Sequence, residues 1–219
     1  MDNENKYEQI FNELKQYKND INISNIRNLD DLEKIIISLI RDATKIIPKG
    51  HEKPLEDSHL KSHFGGQPYF ENGEKWPSKK EGDNLEFILQ IFNTGNINIP
   101  ENIKLIQFYF DFENSPKRES GFVKIYEQIN KNNSIIIKKP EWHSESIYCE
   151  IEYEAIKSLP DIDMLVYNYI VKKLNIEIDF RSQLGGYHKT LQNDVKPNNN
   201  DFQLLFQIDS EEEVGWIVE

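Results

Sequence analysis

His63-Phe64-Gly65-Gly66-Gln67-Pro68-Tyr69, followed by Leu85-Glu86-Phe87-Ile88-Leu89-Gln90-Ile91, decides how this chain is read, because a second stretch repeats its plan. Gln183-Leu184-Gly185-Gly186-Tyr187-His188 precedes Phe202-Gln203-Leu204-Leu205-Phe206-Gln207-Ile208-Asp209. Each half runs from an apolar residue through Gly-Gly and a polar loop into a strand ending in Gln-Ile. Gly66 and Gln90 lie 24 positions apart, Gly186 and Gln207 lie 21 apart. In register, Phe87, Leu89 and Ile91 superpose on Leu204, Phe206 and Ile208, an apolar face in both copies. Glu86, Ile88 and Gln90 superpose on Gln203, Leu205 and Gln207, polar-apolar-polar in both. The expectation is an internal duplication, with two Gly-Gly/strand units related by a pseudo-twofold axis.

The elements around these units point to an α+β fold that is mostly antiparallel β with N-terminal helices. Tyr7, Ile10, Phe11, Leu14 and Tyr17 recur at helical spacing. A second helix is expected from about Leu29 to Ile46, with Leu32, Ile35, Ile36, Leu39, Ile40 and Ala43 as its apolar face and Pro48-Lys49-Gly50 as its stop. Leu105 to Phe112 alternates, with Ile106, Phe108, Phe110 and Phe112 on one face and Leu105, Gln107, Tyr109 and Asp111 on the other, which marks a half-buried strand. Gly121 to Ile129 and Ser134 to Lys138 read as a hairpin around Asn130-Lys131-Asn132-Asn133. Ser146 to Tyr153 is a further strand. A helix follows Leu159-Pro160-Asp161, and Val195 to Asp201 forms a loop before the closing strand.

Composition bounds the partners. The 219 residues have a net charge of −12 and suffice for one large domain or two fused halves. An acidic average field repels nucleic acid, and no dense Lys/Arg stripe counters it. It suits a basic protein partner or plain solubility. One cysteine, Cys149, excludes an internal disulfide. A polar start and the lack of an apolar run near the ~20 residues of a membrane helix point to a cytoplasmic setting without a membrane anchor.

The Phe-Gly-Gly-x-Pro segment, Trp76-Pro77, Ile88-Leu89-Gln90-Ile91, Leu184-Gly185-Gly186-Tyr187 and Leu205-Phe206-Gln207-Ile208-Asp209-Ser210 follow one another in an order that resembles the YwqG-like family, a bacterial domain of unknown function. The resemblance runs from about Leu32 to Trp216. It implies a compact, mostly β fold with an N-terminal helix, and no known substrate, cofactor or catalytic residue. The expected organisation is a helical extension over residues 1–27 and a domain over 28–219, which the duplicated pattern divides into repeat halves at about 55–130 and 140–219. Family members continue past Gln-Ile-Asp into a last aromatic strand. Here Val214-Gly215-Trp216-Ile217-Val218-Glu219 ends the sequence: either the final strand is absent or the chain is a truncated version, and if that strand completes a sheet its loss would leave an unpaired edge.

Several residues are candidates for chemistry. Adjacent glycines permit positive φ and can aim successive amides at an anion, which makes Gly65, Gly66, Gly185 and Gly186 binding candidates together with Tyr187. Neither pair sits in a Walker or Rossmann pattern, so a tight turn is the simpler reading. Gln90 and Gln207 lie within apolar strands, where a primary amide must find partners. They could tie the Gly-Gly loops to the sheet or line a cleft between the repeats. His63 and His188 flank their glycine pairs and, with Asp209, are the catalytic candidates. His59 and His63 are four apart, yet no HExxH pattern exists, so no metal site is expected, and no cofactor. Cys149 shares a strand face with Ile147 and Ile151 and reads as a buried, inert thiol.

Charge, abundant Tyr and Phe, and the lack of a catalytic constellation together favour a non-catalytic acidic module that binds a basic protein, for example as an intracellular antagonist or immunity protein. The alternative is an enzyme or small-ligand binder working in a cleft between the repeats. The sequence leaves the oligomeric state open.

Overall fold

The computed structural model describes residues 29–51, 54, 57–78, 85–113, 120–141, 143, 147–159, 172, 173, 175, 182–188 and 203–209. The first expected helix, the helix after Leu159, the Val195–Asp201 loop, Trp142 and the last residues from Ser210 onward lie outside them.

The described elements are one helix, α1 (Leu29–Ser38), and ten strands: β1 (Arg41–His51), β2 (His63–Phe64), β3 (Phe70–Glu71), β4 (Glu86–Phe92), β5 (Leu105–Phe110), β6 (Gly121–Tyr126), β7 (Ser134–Ile135), β8 (Cys149–Ser158), β9 (Gln183–Gly185) and β10 (Phe206–Gln207). Single 3-10 turns stand at Ser58–Leu60 and Lys131–Asn133. Eight strands follow the order β10-β9-β1-β8-β2-β4-β5-β6, and β3 pairs with β7 apart from them. The registers of β1/β9, β9/β10, β2/β4, β2/β8, β4/β5, β5/β6 and β3/β7 are all antiparallel. The fold is therefore mostly antiparallel β with few helices, broadly an α+β arrangement.

The helix expected to reach Ile46 ends at Ser38. Ser38 Oγ donates to the Ile35 carbonyl (2.6 Å), and Leu39 and Ile40 close with short bonds back to Ile36 and Ile37. The next residues extend instead: Ala43, Thr44 and Lys45 pair with Gly185, Leu184 and Gln183. Strand pairing with β9 overrides the helical spacing of Ile40 and Ala43, and the β-branched Thr44, Ile46 and Ile47 suit a pleated surface. The expected hairpin across residues 130–133 is also corrected. β7 pairs with β3 (Phe70↔Ile135, Glu71↔Ser134), because the 3-10 turn at Lys131–Asn133 redirects the chain.

Two compact units are present. One comprises the residues up to Lys45 and Glu154–Ile208. It holds α1, β9, β10 and the adjoining ends of β1 and β8. Ile36, Leu39, Ala43, Leu184 and Tyr187 are buried in it. Tyr187 O–H donates to the Leu39 carbonyl (2.7 Å), satisfying a group left open just past the helix end.

The other unit comprises Ile46–Tyr153 and the residues from Asp209. Two buried clusters lie on one face of β4, β5 and β6, and Leu89, Ile91 and Ile106 on the other face of β4 and β5 are fully buried too. Tyr69, Phe92, Leu105 and Tyr126 form one cluster, and Leu85, Phe87 and Tyr109 another that Trp76 and Phe122 flank. Burial alternates along β5 from Gln107 onward, with Leu105, Gln107, Tyr109 and Asp111 buried on one face, but Ile106 on the other face is fully buried as well. Trp76 anchors its loop, with Nε1 donating to the Leu85 carbonyl (2.8 Å). Cys149 is buried, opposite Phe64.

Candidate functional site

β2 is short, yet it is paired on both sides. His63 and Phe64 stand opposite Gln90 and Leu89 of β4, and opposite Glu150 and Cys149 of β8. Gly65 (φ 56°) and Gly66 (φ 65°) then turn the chain out of the sheet in the left-handed region. Gly65 N–H donates to the Ile88 carbonyl (2.8 Å). A Cβ on Gly66 would fall 2.7 Å from Tyr148 Cδ2, so backbone conformation and space both demand glycine.

His63 is fully buried, its ring 5.7 Å from Phe87 and 5.0 Å from Tyr148. Its Nδ1 lies 2.7 Å from the Gly65 carbonyl, a geometry in which the ring N–H donates. Burial pushes its pKa down to about 4, and the Lys139 charge acts in the same direction. The carbonyls of Gly65, Phe64 and Gln67 oppose the shift without cancelling it. Nδ1 thus clamps the neutral ring to its own turn, while the buried Nε2 has no hydrogen-bond partner among the described residues.

Gln90 is fully buried as well. Its Oε1 accepts from Tyr69 N–H (2.8 Å), and its Nε2 donates to the carbonyls of His59 (2.9 Å) and Lys61 (2.7 Å). Gln107, opposite it on β5, donates to the Tyr69 carbonyl (2.6 Å) and to Gln90 Oε1 (3.3 Å), and accepts from Tyr109 O–H (3.0 Å). His143 accepts Phe87 N–H at Nε2 (2.9 Å). These amides and imidazoles satisfy loop backbone that enters the core.

The second stretch has the same local plan. In β9, Gln183 and Leu184 stand opposite Gln207 and Phe206 of β10. Gly185 (φ 66°) and Gly186 (φ 73°) are left-handed, and Gly185 N–H donates to the Leu205 carbonyl (3.1 Å). Gln183 takes the place of His63, with Nε2 donating to the carbonyls of Gly185 (3.1 Å) and Tyr187 (2.7 Å). A Cβ on Gly186 would meet Ser158 Cβ at 2.6 Å. Ser158 Oγ accepts from Tyr187 N–H (2.9 Å), and the Arg41 guanidinium lies 4.1 Å above the Tyr187 ring. Burial pushes the Tyr187 pKa up and Arg41 opposes it.

The structure thus brings His63, Gly65, Gly66 and Gln90 together in one unit, and Gly185, Gly186, Tyr187 and Gln207 together in the other. His188 and Asp209 are half-buried. Among the described residues, no group of three His, Cys, Asp or Glu side chains is placed to hold a metal.

A polar network ties the β3 loop to β6. Lys124 Nζ lies 2.7 Å from Glu74 Oε1 and against the rings of Phe70 and Tyr126. Glu74 Oε2 accepts from Tyr126 O–H (2.8 Å) and Glu71 N–H (2.7 Å). Burial alone would raise the Glu74 pKa, but Lys124 and these donors hold it below the usual carboxylate value. Burial and the Glu71 carboxylate push Tyr69 up to about 12.

The opposite face of β5 and β6 is closed at Ile106, which is fully buried, half-buried at Phe108 and Phe110, and exposed at Phe112 and, along β6, at Val123 and Ile125. Ile106, Phe108 and Phe110 stand opposite Ile125, Val123 and Gly121, and residues directly opposite share a face. Phe112, Val123 and Ile125 are 40%, 40% and 47% exposed. Phe110 lies 6.2 Å from Phe108 and 5.0 Å from Phe112, so the rings form a continuous row. Glu86 stands opposite Phe110, Glu113 follows Phe112, and exposed Glu127 lies two residues beyond Ile125. Sequence reasoning saw the Phe108/Phe110/Phe112 alternation but did not single out this face. The signal was present in Val123 and Ile125, which continue the same row on the next strand.

Fold and site together define a mostly antiparallel β domain whose glycine corners are held by buried amides and a buried imidazole. The chain belongs to the family described as Domain of unknown function (DUF1963), whose model matches residues 62–218. Among curated proteins, none matches the chain.

Proposed function

We propose that this chain is a non-catalytic acidic module that docks a basic protein on the outer face of β5 and β6. The observation that carries this reading is the exposed row Phe112, Val123 and Ile125 beside Phe108 and Phe110, bordered by Glu86, Glu113 and Glu127. Contiguous exposed apolar surface with a charged border suits a protein interface. The net charge of −12 adds long-range attraction for a cationic partner. An antagonist of a basic toxin is one such role.

The same proposal includes the internal duplication and the YwqG-like kinship. The matching registers His63↔Gln90 and Gln183↔Gln207, and the matching bonds from Gly65 and Gly185, support one unit used twice. In both copies the glycine motif serves the architecture, since His63 Nδ1 and Gln183 Nε2 each hold the carbonyl of the first glycine, although His63 Nε2 and Gln67 Oε1 are buried without a partner among the described residues. The competing reading, an enzyme or ligand binder built on His63, Gln90, His188, Gln207 and Asp209, draws less support. His63 and Gln90, its best-placed groups, are fully buried and tied to backbone.

Native mass spectrometry of the protein isolated from its own cells tests the proposal. A stoichiometric heteromeric complex with a basic protein is expected. A bare monomer at every salt concentration would contradict it.

A further inference from the structure

β6 is the end strand of the order β10-β9-β1-β8-β2-β4-β5-β6. Beyond it, Asp111 N–H donates to the Ser120 carbonyl (3.0 Å), a bonded pair in the β5/β6 register. Antiparallel pairs alternate, so Phe122, Lys124 and Tyr126 also turn their backbone groups toward β5. Gly121, Val123 and Ile125 turn theirs away, to the open side. Among the described residues, nothing hydrogen-bonds to those outward groups. The same residues carry the exposed Val123 and Ile125 side chains.

An edge strand is commonly blunted by proline, a bulge or a charge aimed outward. β6 has no proline and keeps an uninterrupted register with β5 over six residues. Its only charge, Lys124, points to the core face, where Glu74 holds it. Among the described residues, what remains is a row of donors and acceptors without a partner, bordered by apolar side chains. Such an edge accepts an added strand, with main-chain bonds giving affinity and alternate side chains giving specificity.

We infer that the open edge of β6 binds an extended segment of a partner protein by strand addition. The segment alternates apolar residues, which extend the Phe108/Val123/Ile125 row, and carries lysine or arginine at its ends, facing Glu113 and Glu127. This rests on the docking reading above and names the form of its partner. Charge decides against a second copy as occupant, because each copy brings a net charge of −12.

The test uses the full 219-residue chain. The probe is a short synthetic peptide of alternating valine and threonine flanked by lysines, followed by residue-resolved amide exchange. Binding slows exchange at Val123 and Ile125 at least ~10-fold, while the already bonded Phe122 and Lys124 amides change little. A glutamate-flanked peptide and a backbone N-methylated peptide leave both amides unprotected. Val123→Pro removes an outward N–H without removing a β5–β6 bond, and weakens the lysine peptide at least ~10-fold. The footprint is read on the unsubstituted chain, so a misfolded variant leaves the test intact. Peptide binding without protection of Val123 and Ile125, or equal binding of the glutamate peptide, overturns the inference. So does concentration-dependent dimerisation that Val123→Pro abolishes, which would make a second copy the occupant. If the native partner is lost from Ile125→Lys but kept by Val123→Pro, strand addition falls while docking on the face stands. If no native partner exists, the docking reading falls as well.

Discussion

His63 and Gln183 occupy the same register position in separate ladders: each stands opposite a glutamine, Gln90 or Gln207, and each bonds the carbonyl of the glycine two residues on. An imidazole and a primary amide thus perform one task, holding a left-handed Gly-Gly turn against the sheet. The interchange implies that the task needs a buried donor and not proton chemistry.

His63→Gln should therefore fold. Its effect appears in the pH dependence of stability. The His63 pKa in the folded chain, about 4, lies below the ordinary 6.5, so the unfolded chain takes up the proton first. The stability of the neutral form is fully present above pH 6.5 and is lost as pH falls toward 4. Below that the folded state is protonated too, and this contribution to the slope vanishes. The loss attributable to His63 is up to about 3 kcal/mol. Urea unfolding between pH 7 and 4 should show a shallower fall for His63→Gln than for the parent chain. Parallel curves would refute the assignment.

Alanine at the second glycine of each turn should be costly. Gly66→Ala and Gly186→Ala place a Cβ within 2.7 Å of Tyr148 and 2.6 Å of Ser158, at φ values of 65° and 73°. Each should destabilise by about 2–4 kcal/mol, combining backbone strain with overpacking. Gly95→Ala also has positive φ (85°) but open space around it, and should cost about 1 kcal/mol. Equal melting temperatures for Gly66→Ala and Gly95→Ala would show that the Tyr148 contact carries no weight.

Gln90→Leu removes an acceptor from Tyr69 N–H and a donor from the carbonyls of His59 and Lys61. Stranding one buried and two partly buried backbone groups should cost about 3 kcal/mol. Gln207 is half-buried, so Gln207→Leu should cost less, because water can replace lost partners. Chemical denaturation of both variants checks the order, and a larger loss at Gln207 would contradict it.

Much of the sheet was legible in the sequence because period-2 alternation is strong where one face is buried. The Leu105–Phe112 pattern gave β5 and its two faces, and the Gln-Ile strands located β4 and β10, whereas the short strands β2 and β9 just before the glycine pairs were not read as strands. The helix-to-strand change after Ser38 was hidden, because Leu39, Ile40 and Ala43 continue a helical spacing and only pairing with β9 settles their conformation. The β3/β7 pairing was hidden as well: two-residue strands have too little length for any period. Of the candidate site, the buried amide Gln90 was readable as an apolar-strand glutamine. Its partners on Tyr69, His59 and Lys61 come from a loop whose path no local pattern encodes. The outer face of β5 and β6 was half visible, since alternation shows which residues share a face but not which face the core covers.

The most direct measurement is quantitative affinity capture from native cells with three baits: the parent chain, His63→Gln, and the pair Val123→Lys with Ile125→Lys. If the glycine corners are architecture and β5/β6 is the docking face, the parent and His63→Gln retain the same basic partner and the lysine pair loses it. Retention by the lysine pair together with loss from His63→Gln would contradict the account and return the function to the Gly-Gly turn.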